Sequence, residues 1–430
     1  MSTAAPDTAT IAQAGSRLWR WIPTLYFSQG IPYVVVMTLS VIMYKNMGIS
    51  NADIALYTSW LYLPFVLKPL WSPLVDMFKT KRYWIAAMQL LIGALFALVA
   101  LTLPMSGFFR LSLAVFWLLA FSAATHDISA DGFYMLALSQ HQQAAYVGVR
   151  SMFFRLAMLA GQGALVYLAG TLKDWSGNTA LAWSLVFGLL AAMFLALSLY
   201  HKLVLPRPSA DHGDPENAAV LTSFFHIFGE FLKKKNIGLT LGFLLFYRFG
   251  EAQLLKMAAP FLLDAPDQGG LGLSTQAVGI VYGSIGMLAL TGGGLLGGWL
   301  IARHGLKSCL WWMALAINLP HLVYVYLAFV LPQNIWLIGA AVAIEQFGYG
   351  FGFTAYILYM IMVADGEHKT AHYAICTGFM ALSMMLPGMF SGALQAWLGY
   401  AHFFVWICIS AVPTVIVTAL IKVDPGFGRK

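Results

Sequence analysis

The sequence predicts an all-α polytopic membrane protein, from its high apolar content, its scarcity of charge and its long continuous apolar runs. Of the 430 residues, 60% are hydrophobic and 10% are charged, and the mean hydropathy is +0.76. A soluble domain has about 25% charged residues, so this composition excludes a soluble multidomain enzyme and a disordered chain. An outer-membrane barrel is disfavoured because its strands alternate apolar and polar residues. A membrane span needs about 20 apolar residues, so this length allows about twelve spans with their loops.

Apolar runs bounded by charges and turn residues divide the chain into twelve predicted spans. These are residues 20–44, 53–77, 83–104, 109–139, 144–171, 179–201, 237–263, 272–302, 308–331, 333–363, 370–397 and 400–422. The longest hydrophilic stretch contains three prolines and three consecutive lysines and separates the first six spans from the last six. We therefore predict an N-terminal six-helix bundle over 1–201, a cytoplasmic linker over 202–235 and a C-terminal six-helix bundle over 236–430.

The distribution of Lys and Arg predicts the orientation in the membrane. With the N-terminus inside, sixteen basic residues fall in cytoplasmic segments and only three, Lys45, Arg110 and Lys173, fall in outside loops. Cytoplasmic loops are enriched in Lys and Arg, so both termini are predicted to be cytoplasmic. The same bias accounts for the net charge of +7, and we expect no nucleic-acid partner. The three cysteines have neither metal-ligand nor disulfide spacing, so we expect no metal and no other cofactor.

Charged residues inside apolar spans are the candidates for function, because each costs about 2.5–3.5 kcal/mol at the bilayer centre. Asp127 and Asp131 of span 4 are four residues apart and share one helix face. Two close carboxylates disfavour double ionisation, which favours proton binding. The alternative is a structural pair neutralised by Arg150 and Arg155 of span 5. Those two arginines are five residues apart and therefore point in different directions.

Spans 7 and 10 contain the other acidic candidates. Arg248 and Glu251 are three residues apart and are predicted to form a pair within span 7, with functional and structural roles both open. Glu345 lies deep in an apolar run, where a lone carboxyl is either protonated or faces a cavity. Lys256 is predicted to extend its flexible side chain to the outer membrane surface. The predicted proton-coupling residues are Asp127, Asp131, Glu251 and Glu345.

The candidate substrate-binding residues lie on spans that would line a central cavity. Span 2 contains Lys68 among three prolines, which free backbone carbonyls that need partners or water. Lys68 is predicted either to bind an anionic group of a substrate or to hold a carboxylate of span 4. Gln29, Gly30 and Pro32 form a predicted break of span 1, where backbone can line a cavity. Aromatic rings can stack on sugars. The predicted substrate-binding residues are Lys68, Arg155, Arg248, Gln29, Tyr62 and Tyr134.

The segments between spans 2 and 3 and between spans 8 and 9 occupy equivalent places in the two halves. The second segment, from Gly298 to Lys307, resembles the G-x-x-x-D-R-x-G-R/K pattern of the major facilitator superfamily, with Ala302 in place of the acid and the final basic residue one position later, at Lys307. The resemblance implies the major facilitator fold, with 12 transmembrane helices as two six-helix bundles. A basic loop can latch onto a neighbouring acid or helix end, and ordinary positive-inside charge is the alternative. The predicted cytoplasmic-gate residues are Asp76, Lys79, Arg82 and Arg303.

Two further segments narrow the resemblance. LPFVLKPLWSPLVD (63–76) and HDISAD (126–131) resemble the span-2 and span-4 signatures of the AmpG-like muropeptide permeases, in the peptide/acetyl-CoA/drug transporter branch. This implies a proton-coupled importer of cell-wall fragments (GlcNAc-anhydroMurNAc peptides) across the bacterial inner membrane. We expect the protein to be a monomer. Its partners would be a small-molecule substrate, protons and the lipid bilayer. Related importers of similar length leave a siderophore or an amino-sugar oligosaccharide as alternative substrates.

An intramembrane enzyme is the competing class of function. His126 and Asp131 match the H-x4-D spacing of acyltransferases. Residues five apart on a helix point apart, and an aspartyl dyad needs carboxylates from separate elements. We therefore expect a transporter with no catalytic residues.

Overall fold

The computed structural model of the protein describes most of the chain. The described residues are 18–209, 211–212, 219–366 and 368–429, without the side chains of Asp76, Gln140, Ala144, 219–225 and Thr370. Within these ranges, nine helices are long and apolar enough to cross a membrane. That number omits spans 2 and 7, which are each broken into two shorter helices, and it counts spans 11 and 12 as one. The predicted twelve-helix architecture is confirmed.

The helix bounds lie within a few residues of those predicted. In the first half, the spans are Ile22–Asn46, Asn51–Trp60 with Leu63–Met77, Lys81–Thr102, Phe108–Ala137, Gln140–Leu159 continued by Ala160–Leu165 and Val166–Ser176, and Thr179–Val204. In the second half, spans 7 to 10 are Ile237–Phe246 with Phe249–Leu263, Thr275–His304, Leu306–Asn318 with His321–Val330, and Ile335–Ala364. Spans 11 and 12 lie in Lys369–Ile409 and Ala411–Leu420 and are separated at Gly399, whose φ is 71°.

The linker contains a helix that the sequence analysis did not predict, Ala219–Leu232. Its apolar run was visible in the sequence, but the surrounding prolines and lysines make the whole stretch hydrophilic. Phe231 is fully buried in the core of the C-terminal half, and its ring centroid lies 5.5 Å from that of His372 in span 11. The second part of the linker is therefore packed against the C-terminal bundle. The exact division into bundles stays a prediction.

Three spans are interrupted near the middle of the membrane. Span 2 breaks just before Pro64 and span 9 breaks at Pro320, as expected where proline removes a backbone donor. Span 7 breaks at Arg248, which has φ −113° and ψ 21°. The break predicted in span 1 at Gln29, Gly30 and Pro32 is wrong, because the helix Ile22–Val34 continues through all three residues. The irregularity follows as a wide π-helical turn at Val35–Leu39.

Two more π-helical turns, Ala160–Leu165 of span 5 and Gly279–Gly286 of span 8, pack against each other across the two halves. A Cβ on Gly283 would lie 2.0 Å from the carbonyl oxygen of Gln162. Only glycine permits such an approach between helix backbones. These glycines therefore bring the two halves to main-chain contact.

Polar contacts join the halves at the end that includes Lys45, which we call the outer end because the charge distribution predicts that it faces outside. Lys45 Nζ lies 2.5 Å from Asp264 Oδ1, and Thr275 donates to Asn46 at 2.5 Å. Asn51 donates to Asp264 at 3.2 Å, and to Gln395 and Tyr400 at 2.8 Å each. The outer end is therefore closed. We call this group the outer-end network: Lys45, Asn46, Asn51, Asp264, Thr275, Gln395 and Tyr400.

Gly392→Ala is expected to weaken this closure. A Cβ on Gly392 of span 11 would lie 2.1 Å from the backbone oxygen of Asn51 in span 2, so the helices must separate, at a cost of about 1–3 kcal/mol. A Ser59→Cys reporter, placed at a fully buried position of span 2 in a background without the native cysteines, should then be labelled faster by a membrane-impermeant maleimide. Gly188→Ala is the control, because nothing lies within 4 Å of its Cβ position. Equal labelling rates in both variants would contradict the expectation.

Candidate functional site

In the N-terminal half, each carboxylate of span 4 has its own cation. Lys68 Nζ lies 2.5 Å from Asp127 Oδ2, and an Arg150 guanidinium nitrogen lies 2.8 Å from Asp131 Oδ1. Gln29 of span 1 donates to Asp127 and, at 3.5 Å, to Asp131. We call these five residues the N-half cluster. With two carboxylates and two cations, its charge is balanced when all four groups are ionised.

The N-half cluster is accessible to water although it lies at lipid depth. Its four charged side chains are between 21% and 35% exposed. Charged groups at this depth face a bundle interior or an aqueous cavity rather than lipid. Of the two roles predicted for Lys68, it holds a span-4 carboxylate in this structure. Of the two arginines considered as partners for the acids, Arg150 pairs with Asp131.

Two tyrosines support Arg150. Its guanidinium carbon lies 4.6 Å from the ring centroid of Tyr26 and 5.5 Å from that of Tyr134, within the range of cation–π attraction. Tyr26 also donates to Asp131 at 3.3 Å, and Tyr134 donates to the backbone oxygen of Gln143 at 2.6 Å. Tyr134, predicted to bind substrate, is 4% exposed and helps to hold Arg150 in place.

Arg155 projects away from the N-half cluster, as the five-residue spacing from Arg150 predicts. It donates to Thr291 of span 8 at 3.4 Å, so it crosses from one half of the protein to the other at mid-membrane depth. Arg155 is only partly buried. A substrate between the halves could therefore contact it.

In the C-terminal half, the predicted pair between Arg248 and Glu251 is wrong. Arg248 precedes the second helix of span 7, and the break turns its side chain towards span 10. There it donates to the hydroxyl of Tyr349, and its guanidinium carbon lies 4.4 Å from the ring centroid of Phe353. Glu251 instead pairs with His321 of span 9, with Oε2 3.0 Å from Nε2. Residues three apart share a face only within a continuous helix, and the three-residue spacing of Arg248 and Glu251 does not reveal the break at Arg248.

Glu251, His321 and Glu345 are sealed from solvent, with exposures of 0–1%. Glu345 accepts a hydrogen bond from Gln346 at 3.0 Å. Each of these three residues has one polar atom with no hydrogen-bond partner among the described residues: Glu251 Oε1, His321 Nδ1 and Glu345 Oε1. Arg248, Glu251, His321 and Glu345 form what we call the C-half cluster. His321 was not predicted as a site residue, because its one signal in the sequence is a histidine after Pro320 in an apolar run.

Aromatic residues lie between the two clusters. Tyr33 of span 1 is close enough to Lys68, Asp127 and Arg248 to interact electrostatically with all three. Tyr62, predicted to bind substrate, is 8% exposed, and its ring centroid lies 5.4 Å from Lys256 Nζ.

The predicted extension of Lys256 to the membrane surface is wrong. Its side chain is 4% exposed and donates to Thr58 of span 2 at 2.8 Å. Packing against the other half of the protein encloses it, which the sequence of span 7 alone could not indicate.

The predicted cytoplasmic-gate residues lie at helix ends. Arg82 donates to the backbone oxygens of Lys202 and, at 3.1 Å, Leu205, which caps the end of span 6. Arg303 lies with its guanidinium carbon 5.7 Å from the ring centroid of Trp299. Lys79 has a positive φ of 63° in the turn before span 3. The side chain of Asp76 lies outside the described part of the structure, so the latch stays a prediction.

The residues of the enzyme alternative do not form a pair. His126 is fully buried, and its Nε2 lies 3.0 Å from Gln89 Nε2, within a network that continues to His201. Asp131 belongs to the N-half cluster on another face of span 4. His126 is thus a buried structural histidine.

The sequence profile of the Major Facilitator Superfamily matches residues 24–371, most of the chain. The chain belongs to this superfamily. Together with the membrane-spanning helices, this makes the protein a multi-pass membrane transporter rather than an enzyme.

Similar proteins support the resemblance to the AmpG-like permeases. The anhydromuropeptide permease of Escherichia coli (strain K12) is 25% identical over 402 residues, which cover 91% of this chain and 77% of the relative. The putative transporter AmpG 4 of Rickettsia conorii is 26% identical over 410 residues, which cover 90% of this chain and 92% of the relative.

Solved structures share the fold at lower identity. A bacterial homolog of the human lysosomal transporter Spinster, inward-facing and unoccupied, has a TM-score of 0.72 at 18% identity, covering 94% of this chain and 95% of the other. Tetrameric PepTSo2 has a TM-score of 0.69 at 14% identity, and the match covers 94% of this chain and 98% of the other.

Proposed function

We propose that the protein is a proton-coupled importer of anhydromuropeptides, the GlcNAc-anhydroMurNAc peptides of the cell wall, across the bacterial inner membrane. The supporting observation is the N-half cluster, in which water-accessible charges lie at lipid depth between the halves. The names of the relatives make this substrate class the first to test. A muropeptide has peptide carboxylates that suit Lys and Arg and sugar rings that suit aromatic side chains.

Substrate would bind between the two halves. Lys68, Arg155 and Arg248 would bind the carboxylates of the substrate. Gln29, Tyr62 and Tyr134 would surround the sugars and support these three cations. In this arrangement Lys68 exchanges Asp127 for a substrate carboxylate, so binding would release an internal ion pair.

Transport would follow alternating access. The outer-end network opens, substrate and a proton enter from outside, and the network closes while the cytoplasmic ends separate. The proton would bind one of the four acids Asp127, Asp131, Glu251 and Glu345. Each proton that moves down the membrane potential supplies about 2.3 kcal/mol per 100 mV. Both termini would be cytoplasmic, and the protein would act as a monomer.

The test is uptake of a radiolabelled anhydromuropeptide by proteoliposomes that contain the full chain. With an imposed proton-motive force of about 100 mV, one coupled proton would support about fiftyfold accumulation. An uncoupler should abolish the accumulation. Accumulation that persists with the uncoupler would contradict proton coupling.

The substrate class needs its own test. A thermal-shift screen would compare an anhydromuropeptide, a chitin oligosaccharide and a ferric siderophore. We expect the anhydromuropeptide alone to raise the unfolding temperature of the purified protein. A shift with only one of the other two compounds would replace the proposed substrate.

A further inference from the structure

The two clusters differ in their charge balance. The N-half cluster has two carboxylates, Asp127 and Asp131, and two cations in direct contact with them. It is therefore neutral without any additional proton. Among the described residues of the N-half cluster, the carboxylates do not outnumber the cations. No carboxylate there therefore needs a proton in this conformation.

The C-half cluster has one carboxyl too many. Glu251 and Glu345 interact electrostatically, yet the permanent cation nearby is Arg248 alone. Both carboxyls are about 1% exposed, and an uncompensated charge in such a site costs several kcal/mol. Neutrality therefore requires one further proton, on His321 or on a carboxyl.

The surroundings of the pair contain no other charge among the described residues. Span 8 presents Tyr282, span 9 presents Tyr324 and span 10 presents Tyr349, and all three interact with these acids. Span 12 contributes the backbone of Ile407 near Gly250. Lys256, on the same helix as Glu251, points to Thr58 of span 2.

The helix breaks favour a particular distribution of charge. Glu251 lies in the first turn of the second helix of span 7, where the helix dipole stabilises a carboxylate. His321 begins the second helix of span 9, where the same effect disfavours an imidazolium. Glu345 has no cation in contact among the described residues, and its Oε1 is unpartnered. In the conformation with the outer end closed, the extra proton therefore belongs on Glu345, while Glu251 is ionised and His321 is neutral.

We propose that Glu251, His321 and Glu345 together hold the single proton that is coupled to transport, while the N-half cluster binds substrate. His321 of span 9 contacts Glu251 of span 7. If spans 7 and 9 move apart during transport, this contact is lost, and the preferred position of the proton changes with it. This assignment rests on the proposed function for its transport role. It assigns the proton site to Glu345, Glu251 and His321 rather than to Asp127 and Asp131.

The first experiment needs no substrate. Infrared difference spectra of the full-length protein, in H2O and D2O, report the C=O stretch of a protonated carboxyl. We expect this band in the wild type and its loss in Glu345→Gln, whereas Asp131→Asn and Asp267→Asn keep it. Asp267 is exposed in the loop between spans 7 and 8 and serves as the matched control. A band that survives Glu345→Gln, or disappears in Asp131→Asn, would overturn the proposal.

The second experiment separates the proton site from substrate transport. Counterflow exchanges labelled for unlabelled anhydromuropeptide in proteoliposomes and needs no driving force. Glu251→Gln, His321→Gln and Glu345→Gln should keep counterflow and lose the gradient-driven accumulation of about fiftyfold expected for one proton at 100 mV. Variants that still accumulate substrate would refute the proton site. Absence of counterflow in the wild type would instead refute the proposed substrate, and the infrared result would still decide the proton site.

Discussion

Lys68→Ala is expected to reduce anhydromuropeptide uptake by about thirtyfold or more. The substitution removes the cation that contacts Asp127 at 2.5 Å. Truncating one partner of a buried charge pair costs about 2–5 kcal/mol. Because Lys68 and Asp127 are partly accessible to water, we take the lower value, and about 2 kcal/mol corresponds to about thirtyfold. Initial rates of uptake in proteoliposomes measure the effect. Lys173→Ala, which removes an exposed lysine at the end of span 5, should leave uptake unchanged.

A double variant distinguishes loss of binding from loss of stability. Lys68→Met with Asp127→Asn removes both charges, so neither is left unpaired. We expect the unfolding temperature to return towards the wild-type value while uptake stays low. If the double variant transported normally, the ion pair would have only a structural role.

Asp264→Asn is expected to shift the protein towards an open outer end. The substitution removes the anion that contacts Lys45 at 2.5 Å and accepts from Tyr400 at 2.6 Å. A hydrogen bond to a charged group contributes about 1.5–3 kcal/mol, so the open fraction should rise by about ten- to a hundredfold. The rate of maleimide labelling of the Ser59→Cys reporter from the outside measures this fraction.

The matched control for this experiment is Asp267→Asn. Asp267 lies three residues away in the same loop but is exposed, so its loss should leave the labelling rate at the wild-type value. A labelling rate unaffected by Asp264→Asn would mean that glycine-mediated helix packing, and not the outer-end network, keeps this end closed.

The fold was predictable because a membrane span is defined by length and hydropathy, which are properties of the local sequence. The contact of Lys68 with Asp127 was foreseen as one of two possibilities, since a charge at lipid depth needs a partner. The prediction of an ion pair between Arg248 and Glu251 was wrong, because a break in span 7 turns the two side chains apart. Regular helical spacing cannot predict such a break.

Other parts of the site depend on how the halves meet. Lys256 is buried by span 2, far away in the sequence. Asn51, Gln395 and Tyr400 are ordinary polar residues at span ends, and only their convergence makes them a network. A lone histidine such as His321 is ambiguous in an apolar run, because its partner lies on another helix.

The wide turns of spans 1, 5 and 8 have a mechanical consequence. A π-helical turn has i→i+5 hydrogen bonds, so it shifts the register of the residues on either side of it relative to a regular α-helix. If the turn at Val35–Leu39 advanced by one helical turn, the stretch it crossed would rotate by about 100°, while the helix beyond it stayed in place. A span could then swivel its cavity-lining side chains locally, with its far end still anchored, so that motion at the centre of the carrier need not be purely that of rigid bodies.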